Sequence, residues 1–153
     1  MDASLVFLDT PLNSREELFE TMGSWLCEHG YVKDSYQKAV LEREIQYPTG
    51  LRIPGHELAI PHTECEHIRQ GGLVFVRPKA PLDFQEMCSG EPVQAEMVFL
   101  LLVKNKQDQM PLLMTLMEHF NDQSLMDRLA REERPETIAR LLDSCLKGES
   151  LCH

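Results

Sequence analysis

A chain of 153 residues with 25 acidic and 15 basic side chains carries a formal net charge of −10 at pH 7. This length fits one domain with a sizeable core, and 42% hydrophobic against 26% charged residues excludes an intrinsically disordered chain. The acidic balance argues against a protein that binds duplex nucleic acid, because such affinity comes largely from Lys and Arg on phosphates. It favours a partner with a basic surface, although a solvated acidic surface explains the charge equally well.

The N-terminal third of the chain predicts one strand followed by two helices. Leu5–Leu8 is a short apolar run of the kind that forms a strand. Ser14–Glu17 (SREE) has the form of a capping box before apolar residues at helical spacing, which predicts a helix over about residues 15–29. A second helix is predicted to begin at Asp34 and to stop before Pro48, because the residue that precedes a proline disfavours helical geometry.

The central part of the chain changes to short strands and turns. Three prolines and two glycines interrupt Pro48–Thr63 (PTGLRIPGHELAIPHT), so this segment predicts turns with two short strands rather than a helix. Gly72–Arg77 and Glu96–Val103 are predicted strands, and the second is apolar almost throughout, which indicates a strand covered on both faces. Between them, Met87–Pro92 is predicted to be a loop without chemistry.

Three helical patterns close the chain. Asp108 is the predicted N-cap of the first helix and Asp122 that of the second. Pro135 suits the first turn of the third helix, which is predicted to end at Gly148. The first of these helices carries three methionines that are expected to belong to the core more than to a contact surface: Met110, Met114 and Met117.

The predicted elements combine into an α/β single-domain layered sandwich, a sheet with helices on both faces. One domain is expected over residues 1–153, with its core at about 4–147 and a short C-terminal tail at 148–153. The longest apolar run, Met97–Val103, is far shorter than the ~20 residues of a membrane span. Five scattered cysteines without a CxxC pair, and a start without the features of a signal peptide, predict a cytoplasmic protein.

The segment rich in proline and glycine is the first place to look for a site, because three histidines lie in or beside it: His56, His62 and His67. A phosphate-binding P-loop is excluded, because His56-Glu57 follows the GxxxxG spacing where a Lys-Ser/Thr pair is required. A zinc site built from His62, Cys65 and His67, with or without His56, is chemically possible, but its spacing follows no strong pattern.

The third possibility is a nucleophilic imidazole at His62. Pro61 fixes its own φ and limits Ile60 to extended geometry, so the backbone of His62 is predicted to be held rigidly at the end of a short strand. A neutral imidazole is a good nucleophile for phosphorus, and phosphoryl transfer then needs positioning and a cation, for which Arg43 is the best local candidate. The residues alone leave open a loop histidine without chemistry and, more weakly, a Cys65 nucleophile.

A linked set of short motifs changes the balance between these alternatives. The chain contains Arg43-Glu44, then Pro48-Thr49-Gly50, then Ala59-Ile60-Pro61-His62. In this order the motifs resemble the enzyme IIA domain of the fructose/mannitol superfamily (EIIA type 2) of the bacterial phosphotransferase system, or PTS. The resemblance continues through the stretch FLLLVKNKQDQMPLLMTLMEHF and the C-terminal helices, and it covers essentially the whole chain.

The resemblance implies a mixed β-sheet flanked by helices and a phosphotransferase activity. His62 would accept a phosphoryl group, as a tele-phosphohistidine, from the histidine phosphocarrier HPr, although the residues themselves do not say which ring nitrogen attacks. The group would pass to the cysteine of a cognate enzyme IIB and then to a sugar that enters through a membrane enzyme IIC. Arg43 would pair with the phosphoryl oxygens, and Thr49 and Thr63 would offer hydroxyl donors. Neither a metal nor another cofactor is implied.

One departure from the family pattern concerns position 109. Mannitol-type members carry a second histidine at the start of the helix after an Asn-containing turn, where this chain has Gln109. A glutamine donates an amide N–H to a phosphoryl oxygen but carries no charge. With the longer spacing from Pro48 to His62, it resembles the galactitol-type branch. A rival role stays open, a regulatory module whose phosphorylation state at His62 controls binding to other proteins without sugar transport.

Overall fold

The computed structural model describes residues 4–147, and its centre is a five-stranded sheet. The sheet has the strand order β1-β4-β7-β3-β2, and β5 and β6 form a separate two-stranded hairpin. In chain order, the seven strands are β1 (Leu5–Thr10), β2 (Gly50–Ile53), β3 (His56–Ala59), β4 (Gly72–Pro78), β5 (Leu82–Gln85), β6 (Pro92–Ala95) and β7 (Met97–Leu102).

Neighbouring strands of the sheet pair in both directions. β1 with β4 and β3 with β7 are parallel pairs, whereas β4 with β7 and β2 with β3 are antiparallel. The mixed sheet that the resemblance implied is therefore confirmed. The central strand β7 is buried along its whole length, as its continuous apolar sequence predicted.

Five helices cover the two faces of the sheet. Alternate residues of β4 point to opposite faces: Val74 and Val76 belong to one apolar core and Leu73 and Phe75 to the other. The first core is closed by α1 and α2, and the second by the other three helices, so the predicted α/β layered fold is confirmed. The helices are α1 (Arg15–Glu28), α2 (Tyr36–Gln46), α3 (Lys106–His119), α4 (Gln123–Arg131) and α5 (Pro135–Leu146).

The helix starts follow local capping chemistry in two of the predicted cases. The Ser14 hydroxyl accepts a hydrogen bond from the Glu17 backbone N–H, and the Asp122 carboxylate accepts one from the Leu125 N–H. Pro135 begins α5, as predicted. The predicted end of this helix at Gly148 lies outside the described residues.

The other two helices begin at residues that differ from the prediction. α2 begins at Tyr36 rather than Asp34, because the Asp34 carboxylate accepts a hydrogen bond from the Cys27 thiol instead of capping the helix. α3 begins after Asn105, so Asp108 lies in the first helical turn. An acidic side chain is favourable there as well, since it faces the positive end of the helix dipole.

The hairpin of β5 and β6 was missed by the sequence analysis, which predicted only the loop between its strands. Each strand has four residues with alternating burial, a pattern too short to separate from a loop. The hairpin packs on Gly50, whose carbonyl accepts the Met87 backbone N–H at 2.8 Å. A Cβ atom at Gly50 would lie 2.5 Å from the Gln85 carbonyl oxygen, so only glycine permits this approach.

The lengths of the helices also bear on the membrane. Within residues 4–147, no helix is both long enough and apolar enough to cross a bilayer.

Candidate active site around His62

The segment that follows β3 is held against the central strand β7. Leu101 donates its backbone N–H to the Pro61 carbonyl at 3.1 Å, and His62 pairs with Leu101 as an isolated parallel bridge. Because β7 is fully buried, it forms a rigid support for this segment. The backbone that carries His62 is thus an extension of the sheet rather than a free loop.

The imidazole ring of His62 has two unlike nitrogens. Nδ1 lies 2.8 Å from the Ile60 carbonyl oxygen, which only accepts hydrogen bonds, so Nδ1 carries the proton and Nε2 carries the lone pair. Burial lowers the pKa of His62, and the nearby positive charge of Arg43 lowers it further. The ring is therefore neutral near pH 7, with Nε2 as its nucleophilic atom.

Arg43 reaches the site from the C-terminal half of α2. Its guanidinium Nη1 donates to the Glu64 carboxylate at 3.0 Å, and the guanidinium carbon lies 5.3 Å from the centre of the Tyr47 ring. A hydrogen bond with its own backbone and the Arg43 guanidinium hold the pKa of Glu64 below its usual range. The ion pair is half exposed, so Arg43 is held loosely enough to exchange one anion for another.

The three supporting residues of the sequence prediction all lie on this loop or against it. Thr49 is buried and its hydroxyl donates to the Glu44 carboxylate at 2.8 Å. Thr63 is buried as well, and its hydroxyl donates to the Glu64 carbonyl at 2.9 Å. Gln109 donates its side-chain N–H to the Thr63 carbonyl at 3.0 Å, which links α3 to the loop. In this structure both hydroxyl protons are therefore directed at protein acceptors.

An open cavity of about 470 Å³ adjoins Arg43 on the surface formed by α2 and the 3₁₀ turn Cys65–His67. Its wall includes Arg43 and Lys38 as cations and Glu64 as an anion. His67 closes one side, with Nδ1 at 2.8 Å from the Ser35 hydroxyl. The cavity is a polar recess large enough for a side chain of a docking protein.

Over residues 1–145 the sequence matches the family described as phosphoenolpyruvate-dependent sugar phosphotransferase system, EIIA 2. The chain belongs to this family. The family assignment made from the motifs is thus confirmed, and this EIIA protein is a phosphotransferase that acts through a phosphohistidine.

Individual relatives show the same similarity across nearly the whole EIIA chain. The galactitol-specific EIIA component of Escherichia coli strain K12 is 30% identical over 133 residues, which cover 87% of this chain and 83% of the relative. Enzyme IIA for mannitol from Escherichia coli, solved in complex with phosphorylated enzyme IIB, has 25% identity and a TM-score of 0.71, and the match covers 97% of this chain and 98% of the other. The nitrogen regulatory protein IIA-Ntr from Neisseria meningitidis has 25% identity and a TM-score of 0.71, with 90% of this chain and 92% of the other covered.

The structure separates the histidines that the sequence grouped together. His56 begins β3 and bonds through both ring nitrogens to carboxylates, Nδ1 to Glu96 and Nε2 to Asp127, the latter at 2.6 Å. In residues 4–147 no three side chains of His, Cys, Asp or Glu are placed to hold one metal ion, which removes the structural basis for the zinc alternative.

The EIIA surface beside the site carries exposed apolar side chains. Met110 and Met114 of α3 are 62% and 57% exposed, so the prediction that they belong to the core is wrong, whereas Met117 packs against the second core. Ile45 and Tyr47 at the end of α2 are also exposed. Both helices contact the loop of His62, through Arg43 and through Gln109, so the apolar residues border the site on two sides.

Two residues of the site were missed by the sequence analysis. Glu64 pairs with Arg43, and Glu44 holds Thr49 from the interior. Glu44 was quoted only as half of the Arg-Glu motif, and the place of Glu64 two positions after His62 was the only signal for it.

Proposed function

We propose that His62 is the phosphorylated residue of this EIIA protein and that Arg43 binds the phosphoryl oxygens. The observation that carries the proposal is the Nδ1 contact with the Ile60 carbonyl, which leaves the Nε2 lone pair of a neutral ring free to attack. This supports a tele-phosphohistidine. Thr49, Thr63 and Gln109 are proposed to support the loop that presents the ring.

The donor in the first half-reaction is proposed to be the phosphohistidine of HPr. The Nε2 lone pair of His62 attacks phosphorus, the donor N–P bond breaks, and its electron pair returns to the donor imidazole. His62 becomes a phosphoimidazolium whose positive charge is stabilised by the Nδ1–H bond to Ile60. Arg43 exchanges Glu64 for the incoming phosphoryl oxygens, since both are anionic acceptors for the same guanidinium.

The acceptor in the second half-reaction is proposed to be the cysteine thiolate of an enzyme IIB, in the cytoplasm. The thiolate attacks phosphorus and the N–P bond breaks, which returns a neutral imidazole to His62. Enzyme IIB would pass the group to a sugar that enters through a membrane enzyme IIC. The similarity to the galactitol-specific EIIA component favours a galactitol-type polyol as that sugar.

The test is phosphoryl transfer with purified components. The chain is incubated with phosphoenolpyruvate, enzyme I and HPr, and we expect acid-labile phosphate on wild type and none on His62→Ala. Phosphorylated wild-type protein is then offered galactitol-type and mannitol-type enzyme IIB, with faster transfer expected to the first. Label on His62→Ala would overturn the choice of histidine, and equal rates to both enzymes IIB would overturn the choice of sugar class.

A second candidate function is regulation through the phosphorylation state of His62. It is favoured by the similarity to the nitrogen regulatory protein IIA-Ntr, which equals that to the mannitol enzyme IIA in identity and TM-score. A phosphoryl group adds nearly two negative charges to the surface beside Arg43 and so changes which partners bind there. Phosphorylated protein that keeps its label in the presence of either enzyme IIB would favour this role over transport.

A further inference from the structure

The buried carboxyl of Glu44 is the most unusual polar group in the molecule after the site itself. Glu44 is 1% exposed, yet it lies next to Arg43, whose side chain reaches the surface from the same helix. Burial raises the pKa of Glu44 to about 7, partly offset by hydrogen bonds from Thr49 and by the charge of Arg15. Burying an ionisable group is costly, so its retention calls for a physical explanation.

The carboxyl of Glu44 is occupied by a single residue. Thr49 donates both its backbone N–H and its hydroxyl to the two carboxyl oxygens, each at 2.8 Å. Because the hydroxyl proton is directed at Glu44, the lone pairs of the Thr49 hydroxyl oxygen face the other way. Glu44 therefore sets the orientation of the Thr49 hydroxyl.

The Thr49 oxygens in turn hold the segment that carries His62. The Ile60 backbone N–H donates to the Thr49 carbonyl at 3.3 Å and to the Thr49 hydroxyl oxygen at 3.2 Å. The Ile60 carbonyl then accepts the Nδ1–H of His62 at 2.8 Å. An unbroken chain of short contacts thus runs from Glu44 through Thr49 and Ile60 to the ring.

We propose that Glu44 is a positioning residue for phosphoryl transfer, acting through Thr49 and Ile60 to hold the His62 ring with its proton on Nδ1 and its lone pair on Nε2. The inference rests on the function proposed above for His62. Consecutive residues of α2 then have complementary tasks, since Arg43 provides the cation outside and Glu44 orients the nucleophile from inside. In this assignment the Thr49 hydroxyl serves the ring through the backbone and not the phosphoryl group directly.

The experiment compares Glu44→Gln with Glu20→Gln, which neutralises an exposed carboxyl on α1 as a matched control. Three quantities are measured: the rate constant of His62 phosphorylation at saturating phospho-HPr, the ring tautomer from long-range ¹H–¹⁵N NMR, and the free energy of unfolding. The Gln amide offers one acceptor instead of two, so one of the two Thr49 donors loses its partner. We expect a rate constant about tenfold lower in Glu44→Gln, because small misplacements of a reacting group are costly.

The tautomer measurement separates positioning from a merely structural role. We expect wild type and Glu20→Gln to show one tautomer with the proton on Nδ1, and Glu44→Gln to show a mixture. A variant that loses stability but keeps the wild-type tautomer and rate constant would overturn the inference. In the same series, a wild-type protein that takes up no phosphate would instead overturn the proposed function.

A second pair of variants decides the matter if Glu44→Gln does not fold. Thr49→Val removes the hydroxyl but keeps the side-chain shape, and Thr49→Ser keeps the hydroxyl. We expect Thr49→Val to lower the rate constant about tenfold and Thr49→Ser to restore it to near the wild-type value. Equal rate constants in the two variants would contradict a role for the hydroxyl link.

Discussion

His62 and His56 lie near the two ends of the same short strand, β3, and their rings have opposite surroundings. The His62 ring meets one neutral carbonyl and the positive charge of Arg43, and its pKa is lowered, first of all by burial. Burial also acts to lower the pKa of His56, but hydrogen bonds to Asp127 and Glu96 outweigh it and raise the pKa overall. The comparison shows that the groups facing each ring, and not burial alone, decide which histidine is neutral and nucleophilic.

The same comparison explains why only one of the two is suited to phosphoryl transfer. Both nitrogens of His56 are hydrogen-bonded to carboxylates, so the charged ring has no free lone pair and faces negative charge that repels a phosphoryl donor. His62 has a free Nε2 and a cation beside it. Each of the following predictions tests one part of this contrast.

The largest expected effect is the loss of phosphorylation when the histidine at one end of β3 is changed but not at the other. His62→Gln removes the nucleophilic Nε2, so we expect no acid-labile phosphate after incubation with phosphoenolpyruvate, enzyme I and HPr. His56→Gln should be phosphorylated at a rate close to wild type. Measured by ³²P incorporation, the reverse result would place the reactive histidine at the other end of the strand.

The next effect concerns the cation that only the His62 end possesses. Arg43→Ala should lower the rate constant of phosphoryl transfer by about 10²-fold, as for the loss of one strong donor to a developing anion. Rapid-quench kinetics at saturating phospho-HPr measure this rate constant. The Arg43–Glu64 pair is half exposed, so the free energy of unfolding should change by about 1 kcal/mol at most.

Arg43→Lys is the control for this variant. It keeps the charge but not the planar fork of donors, and we expect its rate constant to lie between wild type and Arg43→Ala. A rate constant equal to wild type in Arg43→Ala would remove Arg43 from the mechanism.

The third prediction is that the two histidines give stability opposite pH dependences. The pKa of His56 is raised on folding, so its contribution is fully present below the unfolded pKa of ~6.5 and is lost as pH rises through the folded pKa. The pKa of His62 is lowered, so its contribution is present above ~6.5 and is lost as pH falls through the folded pKa. Wild type should therefore gain stability over His56→Gln, and lose it relative to His62→Gln, as the pH falls.

Urea unfolding of wild type and both variants over about pH 5.5–8 measures these differences. At the acidic end, the loss of two bonds to carboxylates in His56→Gln should cost about 1–3 kcal/mol. Glu44, with its pKa near 7, adds a slope of the same sign as His56 to all three proteins, so differences between variants cancel it. Parallel slopes for the two variants would contradict the protonation states assigned here.

The smallest expected effect concerns the exposed apolar residues that border the His62 site. Met110→Ser should raise the concentration of phospho-HPr or enzyme IIB at half-saturation by up to about fivefold, which corresponds to ~1 kcal/mol. The rate constant at saturation should stay unchanged. Met110→Leu keeps the apolar surface and serves as the control, and equal half-saturation in both variants would exclude Met110 from docking.

Much of the fold was predictable because short-range rules dominate it. The capping hydroxyl of Ser14, the carboxylate of Asp122 and the proline at 135 each act within one helical turn. The apolar run of β7 predicted a buried central strand. The β5–β6 hairpin was missed because its strands are held by pairing with each other and by packing on Gly50, neither of which a four-residue pattern reveals.

The amino-acid sequence by itself determined the family, the layered α/β fold and the choice of His62 and Arg43, because motif order and hydrophobic periodicity are written along the chain. Only the tertiary structure decided the protonation of the histidines, since Asp127, which bonds to His56, lies 71 positions away. It likewise decided that Met110 and Met114 are exposed and that Glu44 connects through Thr49 to the His62 loop. Charge and hydrogen bonding depend on distance in space, and only the folded chain brings these groups together.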